Sequence, residues 1–358
     1  MNAWKRNIEE RVRLFQEFHR RSNSRPLFGF FRGSEYPLPR YPFSRSLPEG
    51  RPLLPEDFDV DAFVADSVQL FLDHEACGGD FIYSASAYWG IPWLEAMLGC
   101  PIYANHASGS IYAEPPSDFN PHDLPAFAPD DPWSLLMDRM LRALAAASQG
   151  RFPLATTRMR GVADLLSALY GGDGFVLTLL DQPEAVQAVA QRVTDLFIAC
   201  GRFQLDRIPS FHGGMGSFYY HAWMPQGTVW HQEDAAALLS PKLYGEFIEP
   251  FDRQIVAAFP HVVMHQHSTG FVPTSRYLEM GMSVLELHID SGGPSAESLY
   301  DRHLAILRER PLIIWGDIPQ SGLDWLFGKL PPQGLAIITV VNTPEQAHDL
   351  WSTYVDRS

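Results

Sequence analysis

Two neighbouring segments carry side chains whose types and spacing suit metal or acid–base chemistry, His261–His267 (HVVMHQH) and Ser283–Asp290 (SVLELHID). Each reads as a buried strand. Side chains along a strand alternate faces, so His265 and His267 share one face, and Glu286 and His288 share one face of the next strand. Leu285, Leu287 and Ile289 form the opposite face, suited to packing against an outer helix layer. On paired strands about 5 Å apart, three imidazoles and a carboxylate meet inside the molecule. That donor set suits a divalent transition metal, with His265, His267, Glu286 and His288 as the expected ligands. The alternative is a set of core histidines hydrogen-bonded to one another or to backbone, with no ion.

Composition narrows the classes of partner. The chain has 358 residues, 46% of them apolar, enough for a large core in one big domain or two ordinary ones. Its formal net charge of −15 disfavours nucleic acid and anionic membrane as partners. No stretch approaches the roughly 20 apolar residues of a membrane span. The first 21 residues, MNAWKRNIEERVRLFQEFHRR, read as a polar amphipathic helix and not as a signal peptide. Cys77, Cys100 and Cys200 lie far apart with no CxxC, which excludes a disulfide scaffold and a cysteine-rich zinc site. A soluble, cytoplasmic, acidic globular protein is expected.

From Gly227 onward, short apolar runs alternate with amphipathic helices. Strands are expected at Thr228–His231, His261–His267, Ser283–Ile289, Pro311–Trp315 and Gly334–Val340. Helices are expected from Ser240-Pro241, over Thr274–Met280, around Ala296–Arg308, near Gly322–Phe327 and over Pro344–Tyr354, with Ser240 and Thr343 as caps. Strands apolar on both faces argue for a parallel sheet covered by helices. The first half is less regular. Pro26–Phe31, Asp80–Ser84 and Phe152–Thr157 look like strands, Val60–Glu75, Trp133–Ala147 and Pro183–Cys200 like helices, and Tyr36–Pro55 and Glu114–Pro132 like long loops. About eight strands with interleaved helices predict a single (β/α)8 TIM barrel over residues 1–358, with residues 1–25 as an N-terminal helical extension. The rival, a doubly wound open sheet, is weakened by the absence of any GxGxxG or Walker-type loop.

In such a barrel the chemistry sits at the C-terminal ends of the strands. His267, His288 and Asp317 fall there, with His265, Glu286 and Trp315 one layer deeper. Earlier strand ends add Arg32, which could hold a substrate carboxylate or pair with Glu35, and the segment Ser84–Trp89 with Tyr88 and Trp89. Trp93 and the dense aromatic run Phe218, Tyr219, Tyr220, Trp223 and Trp230 supply either a substrate wall or a hydrophobic plug for one barrel end.

The stretches WHQEDAAALLSPKLYGEFIEPF (Trp230–Phe251), HVVMHQHSTG (His261–Gly270), YLEMGMSVLELH (Tyr277–His288) and WGDIPQSGL (Trp315–Leu323) resemble the uroporphyrinogen decarboxylase superfamily. TRMRGVADLLSALYG (Thr157–Gly171) and LLDQPEAVQAV (Leu179–Val189) resemble its middle region, so the likeness runs from about Arg151 to Val355. The resemblance implies a barrel and an enzyme, since the superfamily includes decarboxylases and methyltransferases. The decarboxylases carry an Arg-rich loop after the first strand, an Asp at the second, a Tyr and a late His. Here FFRGSEYPLPRY (Phe30–Tyr41) keeps an Arg at Arg32, only loosely, serines replace the Asp in IYSASAYWG, the Tyr position falls near Leu169 beside Tyr170, and VVNTPEQ has no His. The superfamily's zinc methyltransferases use His-x-Cys and a later Cys. Here His265-Gln266-His267 takes the first place, and the later Cys falls near Val341-Asn342.

Imidazole and carboxylate in place of thiolate make a more Lewis-acidic centre, better at polarising oxygen than at activating a thiol. The resemblance and the residues together point to a zinc-type, methyltransferase-like enzyme acting on a small methylated substrate, a methoxylated aromatic being one candidate, with a corrinoid partner protein. Glu286 and His288 are the expected ligands or acid/base groups, and Glu233 or Asp234 the group that orients a ligand or takes a proton. Arg32, Tyr88, Trp89, Trp93, Tyr220, Trp223, Trp230 and Asp317 are the expected substrate contacts. The alternatives are a decarboxylase of a porphyrinogen-like or other carboxylated substrate, a metal-dependent hydrolase or lyase, and a metal-free binder of a small aromatic or tetrapyrrole ligand.

Overall fold

Six regular strands form one parallel sheet in the computed structural model, which describes residues 7–356. In chain order they are β1 (Leu27–Arg32), β2 (Thr228–Gln232), β3 (His261–His267), β4 (Val284–His288), β5 (Leu312–Gly316) and β6 (Leu335–Val341). Their spatial order is β1-β6-β5-β4-β3-β2. Helices follow each of the last five strands, as the alternation of apolar runs and amphipathic segments requires. Ser240 and Thr343 cap two of them, accepting from the Leu243 and Gln346 amides, each at 3.2 Å. The register sets the C-terminal ends side by side: Gln232 opposite His265, His267 opposite His288, and His288 opposite Trp315.

The architecture is an α/β fold with this six-stranded arc, and among the described residues no regular ladder closes it into a barrel. The two further strands expected at Asp80–Ser84 and Phe152–Thr157 are reduced to isolated bridges, Ala85 to Leu154 and Arg160 to Gln232. The reason lies in where their backbone donors go. The amides of Asp80, Ile82 and Ala85 bond to Phe28, His221 and Pro153 carbonyls, three different stretches of chain, so no ladder can repeat. In the second segment Pro153 has no amide proton, and the Thr157 amide is taken by the Gln204 side chain at 2.7 Å. These contacts still lead from β1 through both segments to β2.

Two glycines permit the close approaches. A Cβ on Gly29 would lie 2.2 Å from the Phe81 ring, and one on Gly161 would lie 2.1 Å from a Glu233 oxygen and 2.5 Å from the Gln232 carbonyl. Gly161→Ala is therefore expected to destabilise the fold by about 1–3 kcal/mol, read as a lowered Tm, because buried backbone must shift. A Tm equal to that of the parent would show that this packing is not tight.

The N-terminal extension contains the helix Ile8–His19, whose Asn7 and Glu10 form a capping box. Residues 1–6 of the expected extension lie outside the described residues. The expected loop Tyr36–Pro55 holds a short helix, Pro37–Arg40, and 3-10 turns. Among the described residues no single helix is long and apolar enough to cross a membrane; only the pair Val162–Tyr170 and Gly172–Asp181, bent by 99°, has the combined length and composition.

Candidate functional site

Period-two alternation decides which side chains reach the strand mouth. On β2, Trp230 and Gln232 face inward and line a cavity of about 470 Å³. His231 faces outward, 3.1 Å from Asp252 on the helix Glu249–Ala258. Glu233 also turns away from this cavity, accepting from the Val162 and Ala163 amides at 2.5 and 2.8 Å, the N-terminus of the helix Val162–Tyr170. Burial, then Asp252 and Asp164, hold the Glu233 carboxyl well above its usual range. Glu233, expected as an acid/base group, instead anchors a helix and contributes to the wall of a separate cleft of about 170 Å³. Asp234, one residue on, returns to the mouth.

On β3 and β4, the expected side chains come together in two layers. The buried Glu286 carboxylate accepts from Tyr220 Oη at 2.7 Å and bonds His265 Nδ1 through the same oxygen. His265 Nε2 and His267 Nε2 then face each other at 3.1 Å. On its far side, His267 Nδ1 bonds Asp290 Oδ1 at 2.6 Å. The other Asp290 oxygen accepts from the Ser268 amide and hydroxyl at 2.9 and 2.8 Å, which fixes the carboxylate behind the ring. Asp234 Oδ2 lies 3.8 Å from His267 Nε2 and accepts from the Gln232 amide group at 2.7 Å. His288 stacks on Trp315 at 4.2 Å and 11°, its Nδ1 3.3 Å from Asp290.

This wiring restricts the protons. Each neutral imidazole has one N–H and one lone pair. If both Nδ1 atoms donate to their carboxylates, both Nε2 atoms present lone pairs to each other. Such a pair needs a proton or a cation between them. Two histidine nitrogens on one tetrahedral zinc would lie about 3.3 Å apart, close to the separation present here. Histidines backed at Nδ1 by carboxylates are also the usual outer support of a metal ligand. His265 Nε2, His267 Nε2 and Asp234 are thus the donors that fit one ion, their ligand atoms lying within 4.8 Å of one another. His267, His288 and Asp290 form a second group of that size. Glu286 lies behind His265, one layer too deep to share the same ion.

In the absence of an ion a proton takes that place. Burial opposes a charge on His267, but the Asp290 hydrogen bond and the charges of Asp234 and Asp290 outweigh it, pushing the imidazole up to about 9. Burial favours a neutral Asp290, yet its bonds from His267 and Ser268 hold the carboxyl well below the usual range. Burial and the neighbouring His265 bring His288 down to about 4, so it is neutral at pH 7. An imidazolium favoured by the fold stabilises it fully below its unfolded pKa near 6.5, and the effect fades as pH rises through about 9. With chelator present, the Tm difference between the parent chain and His267→Gln is expected to be largest below about pH 6.5 and to shrink towards pH 9. A difference that does not change over that range would show that no charged pair forms.

Aromatic side chains wall the cavity above this cluster. Trp89, Phe218, Tyr219, Tyr220, Trp230 and Trp315 line it. Tyr219 and His221 both have left-handed backbone, φ 69° and 54°, and this paired reversal on either side of Tyr220 aims its hydroxyl at Glu286. Tyr220 is thus both wall and hydrogen-bond partner.

Other expected contacts lie elsewhere. Tyr88 packs in the core against Tyr41 and Phe43, and Trp93 packs on Trp133 with its N–H on the Tyr88 carbonyl. Trp223 bonds the Phe211 carbonyl and packs on His19, whose cleft with Thr228 and His261 marks the opposite end of the strands. Arg32 pairs with Asp73 at 3.0 Å and not with Glu35. Asp317 is exposed and lines a neighbouring cleft with Trp325, outside the aromatic cavity. Residues not anticipated were Asp290, Gln232, Glu35 and the pair Arg158 and Arg160, all lining the cavity. Continuing the alternation of Glu286 and His288 one step past the strand end would have found Asp290. Carrying that of Phe152–Thr157 onward would have found the arginines.

No family model matches the sequence, and no curated protein matches it. Among solved structures the chain is similar to a methyltransferase from Methanosarcina mazei, with a TM-score of 0.63 at 13% sequence identity. The likeness covers 95% of this chain and 98% of that one. At that identity it shows the fold alone: this chain has the α/β architecture of that methyltransferase.

Proposed function

We propose that this chain is a metal-dependent, methyltransferase-like enzyme of the uroporphyrinogen decarboxylase superfamily, acting on a small methoxylated aromatic substrate with a corrinoid-carrying partner protein as methyl acceptor. In this reading the bridged segments around Ala85 and Leu154–Arg160 stand in for two strands of a (β/α)8 barrel. The observation that carries the proposal is the facing Nε2 pair of His265 and His267, each ring backed by a carboxylate and flanked by Asp234. His265, His267 and Asp234 would hold the ion. A divalent ion supplies Lewis acidity that draws electrons from an ether oxygen.

The remaining work falls to the chain's own side chains. Trp89, Phe218 and Tyr219 give a flat ligand apolar faces and exclude water from its ring. As a methyl group leaves an aryl ether, the C–O electron pair stays on the oxygen, which must then be protonated. His288 lines the cavity beside the pair; neutral at pH 7, it can donate a hydrogen bond to that oxygen, while the proton itself comes from solvent. Gln232 and Asp164 keep Asp234 in place, the Gln232 amide bridging both carboxylates at 2.7 and 2.9 Å.

The test is to incubate zinc-loaded protein with a methoxylated aromatic, with and without reduced cobalamin. Methylcobalamin and the demethylated phenol are expected in equal amounts, and only when cobalamin is present. Phenol formed without cobalamin would overturn methyl transfer in favour of a hydrolase, and no phenol from any methoxylated aromatic would overturn the substrate class.

A further inference from the structure

Arg158 and Arg160 stand two residues apart on one side of the segment that leads to Gly161, and both line the aromatic cavity. Arg160 is paired: its guanidinium bonds Glu95 at 3.1 Å, although its buried Nε has no partner among the described residues. Arg158 is different. Among the described residues no carboxylate lies within ion-pair distance of it, and its guanidinium makes no hydrogen bond; the Trp89 ring lies 5.8 Å from it. Burial and the neighbouring Arg160 charge bring Arg158 down to about 10, yet it is still a cation at pH 7. Its donors open onto the cavity, where a ligand can displace water and accept from them.

We propose that Arg158, supported by Arg160, is a subsite for the carboxylate of an aromatic carboxylic acid. This rests on the proposed function for the identity of the reacting group, but the subsite itself does not. The surroundings favour a monoanion. Of the two guanidiniums only Arg160 has a carboxylate in ion-pair contact, Glu95, while Asp234 and Asp164 offset both from farther off. Glu35, Asp234 and Asp290 line the same cavity and oppose a second negative charge. The planar fork of Arg158 matches a carboxylate in two parallel hydrogen bonds. Trp89, which meets the Arg158 guanidinium, offers the adjoining ring a face. A benzoate bearing a methoxy group carries both groups this cavity calls for, a carboxylate for the arginines and an ether for the histidine pair.

The test is binding of 4-methoxybenzoate and its neutral isostere 4-methoxybenzamide, followed by calorimetry on the full chain. In the parent protein the benzoate is expected to bind about 10–100-fold more tightly than the amide. Arg158→Gln should abolish that preference, and Arg158→Lys should retain part of it. Equal affinity of the two ligands for the parent protein, or no binding of either, overturns the subsite without need of any variant. So does an unchanged preference in folded Arg158→Gln. A benzoate preference lost in Arg158→Gln, with no methyl transferred to cobalamin, would uphold the subsite while the functional reading failed.

Discussion

Replacing His267 with alanine is expected to remove turnover while costing the fold no more than about 1 kcal/mol. Its side chain is 37% exposed at the mouth, and its partner Asp290 keeps the Ser268 amide and hydroxyl when the imidazole is gone. The loss of a donor that meets the ion directly should exceed the roughly 10–100-fold typical of losing an outer support. Parallel measurements of Tm and of product formation separate the two effects. A His267→Ala protein that keeps most of its activity would remove His267 from the site.

Glu286 offers the second large effect, and two substitutions divide its roles. In Glu286→Gln the amide oxygen can take the place of the one carboxylate oxygen that Tyr220 and His265 Nδ1 share, accepting from both but without the negative charge. The His265 proton stays on Nδ1, and its Nε2 becomes a weaker donor to a cation. Zinc affinity by chelator competition is expected to fall about 10–100-fold, with the fold retained. Glu286→Ala instead strips the partner from two buried groups, His265 and Tyr220, and should cost about 3–5 kcal/mol in stability. Unchanged zinc affinity in Glu286→Gln would mean that the carboxylate charge does not strengthen His265 as a ligand.

The arc of the sheet was legible because five of its strands are apolar runs with helix signals between them, and β3 to β6 pair as that order implies. The same alternation placed His265, His267, Glu286 and His288 on the inner face. The layering was legible in part, since strand position put His265 and Glu286 one layer below His267 and His288. Nothing in VLELH shows that Glu286 would be sealed behind His265 by Tyr220, a residue 66 positions away. The first half was harder because its strand-like segments send their amides to side chains and to several different neighbours, so local pattern and hydrogen bonding part company. Aromatic residues misled for a related reason. Trp93 and Trp223 carry the same sequence signal as Trp89 and Trp230, and only tertiary packing assigns them to the core and to the far end of the sheet. Arg32 was a lone basic residue past a strand, and Asp73 on the helix Val60–Cys77 neutralises it.

His265, His267 and Asp234 are expected to share one divalent ion. Elemental analysis of the purified chain beside the His265→Ala/His267→Ala double variant, both dialysed against zinc and then buffer, tests it most directly. About one zinc per parent chain is expected, and none above background in a double variant whose circular dichroism matches the parent. Parent protein that binds no divalent ion, or a folded double variant that keeps its zinc, would contradict it.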